Sequence, residues 1–174
     1  TWNSLMESMA LQPDGKIVCE GISGTDDPLM AICRFNEDGT TDLGFGENGS
    51  LITPYLDYHN MYVNDVAIQP DGKIVTSGVS WKWSYTPFTL LLTRYTDQGQ
   101  LDPLFGKEGI SAIDTPSGMS ANHVFILPDG KIFTSGAFYG PIICMVRFNG
   151  GDNVLASNCK EVKAIQENDN ITIT

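Results

Sequence analysis

Trp81, Trp83 and Tyr85 alternate along the stretch WKWSYTP, so an extended backbone would set their three rings on one face, a surface able to stack on a sugar or a partner protein. Other residues offer less. His59 and His123 have no serine or cysteine nucleophile motif around them, and the chain lacks a Gly-x-Ser-x-Gly elbow, a His-Glu-x-x-His helix and a glycine-rich phosphate loop. The reading therefore leans away from an enzyme. Cys19, Cys33, Cys144 and Cys159 show no CxxC spacing, which argues against zinc and leaves disulfide pairing open; Cys33 and Cys144 lie in apolar runs and read as small buried hydrophobes. Asn36-Glu37-Asp38-Gly39 with Asp42 has the outline of a calcium loop, but its carboxylates do not persist in the other units. It reads as a plain turn, and no metal or cofactor is expected.

The elements that must position these residues are written three times. LQPDGKIVCEG from Leu11 returns as IQPDGKIVTSG from Ile68 and as LPDGKIFTSG from Leu127, with Pro13, Pro70 and Pro128 standing 57 and 58 positions apart. CRFNEDGTTDLGFGENG from Cys33 matches TRYTDQGQLDPLFGKEG from Thr93, and VRFNGGD from Val146 begins the same passage before diverging. An active site is normally built once, so residues that recur in every unit are read as serving the fold. Asp14, Asp71 and Asp129 with Gly15, Gly72 and Gly130 are turn formers: aspartate bonds back to the backbone and glycine takes the φ > 0 position of a hairpin with a bulge. Arg34, Arg94 and Arg147 recur before an aromatic and read as structural arginines held by carbonyls or by Asp42 and Asp102, rather than as an anion-binding ring.

Period-two apolar residues flank each turn: Met9 and Leu11, Val66 and Ile68, Val124 and Ile126 mark half-buried strands. A third strand follows over 29–35, 88–95 and 142–148, and a fourth over 50–53 and 110–113. The third unit loses its own fourth strand, for which 1–5 or 153–162 are candidates. No segment sustains a 3.6-residue period. The expectation is an all-β, β-propeller-like fold: three repeats of about 57 residues, each a roughly four-stranded antiparallel blade. One domain spans 1–156, with units at roughly 1–56, 57–115 and 116–156, and 157–174 reads as a C-terminal linker or tail.

The residues at 12–21, 34–49, 69–78, 94–109, 128–136 and 147–149 resemble the delta-60 repeat proteins, whose repeats run QPDGKIVVAG and then ARYNADGSLDTSFGTGG. The resemblance implies a β-propeller-like fold in bacterial extracytoplasmic proteins, in long arrays and without an assigned activity. Three units cannot close a ring without strain, so the chain is expected either to pair as a homodimer completing a six-bladed ring or to lack blades of a longer parent chain. It opens at Thr1, as a trimmed or processed piece would.

Composition narrows the partners. Ten Lys and Arg against 21 Asp and Glu give a formal net charge of −11, which phosphate backbones and anionic lipid surfaces would repel, and no apolar run approaches the roughly 18 residues of a membrane helix. Neither nucleic acid nor membrane insertion is expected. The function expected is a non-enzymatic binding or scaffold module of a secreted or surface-exposed bacterial protein, with a protein or glycan partner at Trp81, Trp83 and Tyr85. A purely structural array segment is the alternative, and a hydrolase or lyase in a propeller channel the more remote one.

Overall fold

The protein is seen here as a computed structural model that describes residues 4–24, 29–53, 60–81, 89–114, 120–137, 143–148, 160–162, 164–167 and 170–173. Three four-stranded antiparallel sheets follow one another along the chain. The first joins β1 (Ser4–Leu11), β2 (Ile17–Ser23), β3 (Leu29–Phe35) and β4 (Ser50–Ile52). The second joins β5 (Asn60–Ile68), β6 (Ile74–Trp81), β7 (Thr89–Tyr95) and β8 (Ile110–Asp114), and the third β9 (His123–Ile126), β10 (Ile132–Ala137), β11 (Ile143–Phe148) and β12 (Lys160–Val162). Each is an up-and-down meander in strand order, the form of a propeller blade. No helix occurs among the described residues, and so none long and apolar enough to cross a membrane.

The thrice-written hairpin has a local cause. Gly15, Gly72 and Gly130 take φ of 86°, 84° and 77°, where a side chain is disfavoured, and each glycine N–H donates to the carbonyl three residues back. Asp14, Asp71 and Asp129 each accept the N–H of the following lysine two residues on, at 3.2 Å. Proline before the aspartate pre-sets the first turn angle.

A second device repeats further along. A bulge at Glu7 in β1 and at Asn64 in β5 shifts the register by one residue, so Met6 and Met9, three apart, share one face, as do Val63 and Val66. The bulged strand then lies so close to β2 and β6 that a Cβ on Gly21 would sit 1.9 Å from the Leu5 carbonyl oxygen, and one on Gly78 2.0 Å from that of Tyr62. Gly136 meets Ser120 in the same way. This is why glycine closes the repeated motif.

The core lies between blades. Each blade has a leading face, turned towards the blade before it, and a trailing face. Val18 and Ile32 on the trailing face of the first blade pack on Val66, Ile74 and Tyr95 of the second, with Phe45 from the loop after β3 wedged between. The second blade repeats the arrangement with Val75, Leu92 and Phe105 on Val124 and Ile132 of the third. Ile22 and Met30 complete the first interface against Met61, Val63 and Leu91.

One expectation needs correction. Met9 and Leu11 are not half-buried: they are 65% and 71% exposed, whereas their equivalents Val66 and Val124 are 6% and 4%. The pattern marks a face built for burial, and among the described residues no blade packs on this face of the first blade. β12 pairs with β11 inside the range 153–162 expected to supply the third unit's fourth strand, and β13 (Ala164–Glu167) pairs with β14 (Asn170–Ile173). Ile165, Ile171 and Ile173 alternate with polar residues on either side of Asn168-Asp169, a two-residue connection of types suited to a hairpin. Overall acidity outweighed that short signal in the sequence.

Gly78→Ala tests the close approach of strands: its Cβ has only backbone to displace, so the variant should lose about 2–3 kcal/mol of stability in urea unfolding with an unchanged m-value.

Candidate functional site

The recurring arginines are committed to the fold. Arg34 Nε donates to Asp42 Oδ2 at 2.8 Å, and Arg94 Nε to Asp102 Oδ2 at the same distance. Each guanidinium also covers an aromatic ring, Phe45 at 4.5 Å and Phe105 at 4.7 Å from the centroid. Arg34 further donates to Gln12 Oε1 at 3.2 Å and to the Asp97 carbonyl of the next blade at 2.6 Å, so it ties two blades together. Arg147 lies at the matching position of β11, where side chains fall outside the described residues. Lys16, then the Gly44 N–H and Arg34, hold Asp42 below the usual carboxylate range. In the loop with a calcium outline, Asp38 Oδ1 accepts both the N–H and hydroxyl of Thr40, as a turn requires.

Of the candidate aromatics, Trp81 ends β6, while Trp83 and Tyr85 lie outside the described residues. Trp81 stacks on Tyr62 from the adjacent strand, with ring centroids 5.3 Å apart and planes inclined by 18°. Tyr62 is 37% exposed, and only cross-strand pairing brings it to Trp81. His59 also falls outside the described residues. His123 Nδ1 stands 3.7 Å from Asp65 Oδ2, too far for a hydrogen bond. That carboxylate is already engaged: Oδ1 accepts from Ser8 and from the Val66 N–H, and Oδ2 from the Val124 N–H, which stitches the first strands of three blades. Asp65 was silent in the sequence because it has Ser8 and His123 as counterparts, so no repeat signal marks it.

These buried pairs and turns lie where the chain can be compared with a known pattern. Residues 12–45 and 69–105 match the model of a domain of unknown function, the DUF5122 beta-propeller. The fold is an all-β propeller fold. Both DUF5122 segments begin at a buried glutamine, Gln12 or Gln69, and run to the phenylalanine under the arginine, Phe45 or Phe105. The hairpin, the Arg–Asp pair and the Phe wedge of the first two blades therefore lie within the matched segments. No curated protein matches the chain.

Three features of the first blade have no counterpart in the second. Its leading face is uncovered: Met6, Met9, Leu11 and Ile52 are exposed, and a groove of about 360 Å³ is lined by Met6, Cys19, Cys33 and Ile52 among others. Cys19 and Cys33 stand directly opposite each other on that face, both as free thiols, where the second blade has the hydrogen-bonded pair Thr76 and Thr93. Cys19 is buried, as its type suggests, but Cys33 is only partly so. On the opposite face Glu20, 2% exposed, occupies the place that Ser77 fills in the second blade, and neither carboxyl oxygen has a hydrogen-bond partner.

Burial pushes the Glu20 carboxyl well above the ordinary value of 4.5; the neighbouring Thr76 hydroxyl opposes this and the Asp65 carboxylate adds to it. Tyr95, on the same interface and bonded to the Thr53 hydroxyl at 2.5 Å, is pushed up to about 12, first by burial and then by Glu20. Both groups are thus neutral between the blades, as an apolar interface demands.

Two substitutions probe these buried groups. Asp102→Ala leaves the Arg94 guanidinium, 4% exposed, without its counter-ion and should cost about 3–5 kcal/mol in urea unfolding, more than Asp42→Ala at the more open first pair. Because the Glu20 acid is favoured on folding, its stabilising proton is fully present below the ordinary carboxyl range and is lost as pH rises towards the elevated value. Glu20→Gln should therefore match the parent's melting temperature near pH 4 and exceed it at pH 8.

Proposed function

We propose that the chain is a non-enzymatic binding and scaffold module of a secreted or surface-exposed bacterial protein, of the delta-60 type, that assembles by stacking blade on blade. One observation carries this reading: the face exposed on the first blade is, residue for residue, the face buried in the other two. Met6, Met9 and Leu11 correspond to Val63, Val66 and Ile68, and to Ala121, Val124 and Ile126. Apolar surface of this kind is stabilised by burial at roughly 25 cal/mol per Å². The occupant that fits it is the trailing face of another blade of this repeat, because such faces already cover it twice in this chain.

A second copy supplies that blade. Its third blade presents Phe125, 55% exposed, on the trailing side. Two copies related by a twofold axis would each offer one leading and one trailing face and close a ring of six. The acidic chain disfavours nucleic acid and anionic membrane as partners. The rim formed by Tyr62 and Trp81, with Trp83 and Tyr85 in the following segment, would then meet a protein or glycan. An array segment with no ligand remains the alternative, and the engaged state of Asp65 beside His123 weighs against a hydrolase or lyase.

Light scattering after size exclusion tests the reading: a mass near twice 19.0 kDa is expected, falling to a single chain in Met9→Asp with Leu11→Asp. A well-folded monomer at every concentration, unaltered by those substitutions, would refute the second copy as occupant.

A further inference from the structure

The sulfur atoms of the first blade gather on one face. Cys19 and Cys33 are direct partners across β2 and β3, Met9 is the direct partner of Cys19 across β1 and β2, and Met6 is placed beside it by the bulge at Glu7. The second blade holds Thr76, Thr93, Val66 and Val63 at the same four positions. So this set is built once, unlike the turns and arginines that recur.

The backbone pattern sets what the two thiols can do. The Arg34 N–H donates to Gly49 and its carbonyl accepts from Asp42, so both point away from β2; by alternation the backbone groups of Cys33 point towards Cys19. The cysteines therefore form the wide, hydrogen-bonded type of cross-strand pair, with Cβ atoms near the upper end of about 4.5–5.5 Å. A disulfide needs about 3.5–4.5 Å, so closing one would pull two strands together. An ion held by two metal–sulfur bonds of about 2.3 Å spans roughly 3.8–4.6 Å between sulfurs and suits the wider pair. The Lys16 carbonyl accepts from Gln12, which puts Met9 and Cys19 in the narrow type of pair, with side chains closer.

We propose that Cys19, Cys33 and the thioether of Met9, the cross-strand partner of Cys19, with Met6 beside them, bind a soft monovalent cation, Cu(I), on the leading face of the first blade. The donor set selects it. Thiols and thioethers suit Cu(I), whereas zinc takes three or four His, Cys, Asp or Glu ligands, and no group of three or more such side chains lies together among the described residues. Binding displaces the two thiol protons to solvent and changes no oxidation state. The site uses the open leading face of the separate chain, so an ion held there and a second copy compete for the same surface.

Anaerobic titration of the full chain with Cu(I) against a chromophoric Cu(I) chelator tests this. One tightly held ion per chain is expected, lost in both Cys19→Thr and Cys33→Thr, weakened about 10- to 100-fold in Met9→Leu, and retained in Cys144→Ser with Cys159→Ser. The threonine variants recreate the Thr76–Thr93 pair that the second blade already accommodates, and circular dichroism checks that they fold. Stoichiometry unchanged in folded Cys19→Thr, or Zn(II) held as tightly as Cu(I), would overturn the proposal. Mass measured on the same samples separates failure of this site from failure of the dimer.

Discussion

A four-stranded sheet with two apolar faces cannot stand alone in water, and every other feature of this protein follows from covering those faces. The interior is not inside any sheet but between consecutive ones, where Val18 and Ile32 meet Val66 and Ile74, and Val75 and Leu92 meet Val124 and Ile132. The bulges and their glycines exist to bring first and second strands close enough for this stacking; the Phe45 and Phe105 wedges fill the space that the loops leave.

Burying strands this way also traps polar groups, and the chain treats them in two ways. Arg34 and Arg94 are matched with a carboxylate, an aromatic face and carbonyl oxygens, so their charge survives burial. Glu20 has no such company and is accommodated as a neutral acid among the hydroxyls of Thr76, Thr93 and Tyr95. The contrast fits their distribution: the arginine recurs together with its carboxylate and its aromatic ring, while Glu20 stands once, where the second blade has Ser77.

Repetition is therefore a filter for function as much as a description of fold. After it removes the turns and the arginine pairs, what remains is concentrated on the first blade and at the end of β6: an open apolar face, a row of sulfur atoms across three strands, and a tryptophan stacked on Tyr62. The segments that match the DUF5122 beta-propeller model hold the first two hairpins and arginine pairs, and Cys19, Cys33 and Trp81 as well, whereas Met6, Met9 and Tyr62 lie outside them.

Much of the fold was legible in the residues. Pro-Asp-Gly fixed the hairpins through backbone preference, period-two apolar residues marked the strands, and the spacing of Arg34 and Asp42, and of Arg94 and Asp102, pointed to their pairing, because all these act over a few residues of chain. The site was less legible. That Met9 and Leu11 are bare while Val66 and Val124 are buried depends on which blade stands next, and equal patterns cannot report a missing neighbour. Tyr62 beside Trp81, Cys19 opposite Cys33 and Asp65 between three strands are likewise products of register and stacking. The sequence by itself determined the blade, through local turn chemistry and alternation; only the tertiary structure decided which faces meet, because burial is a property of pairs of blades rather than of either one.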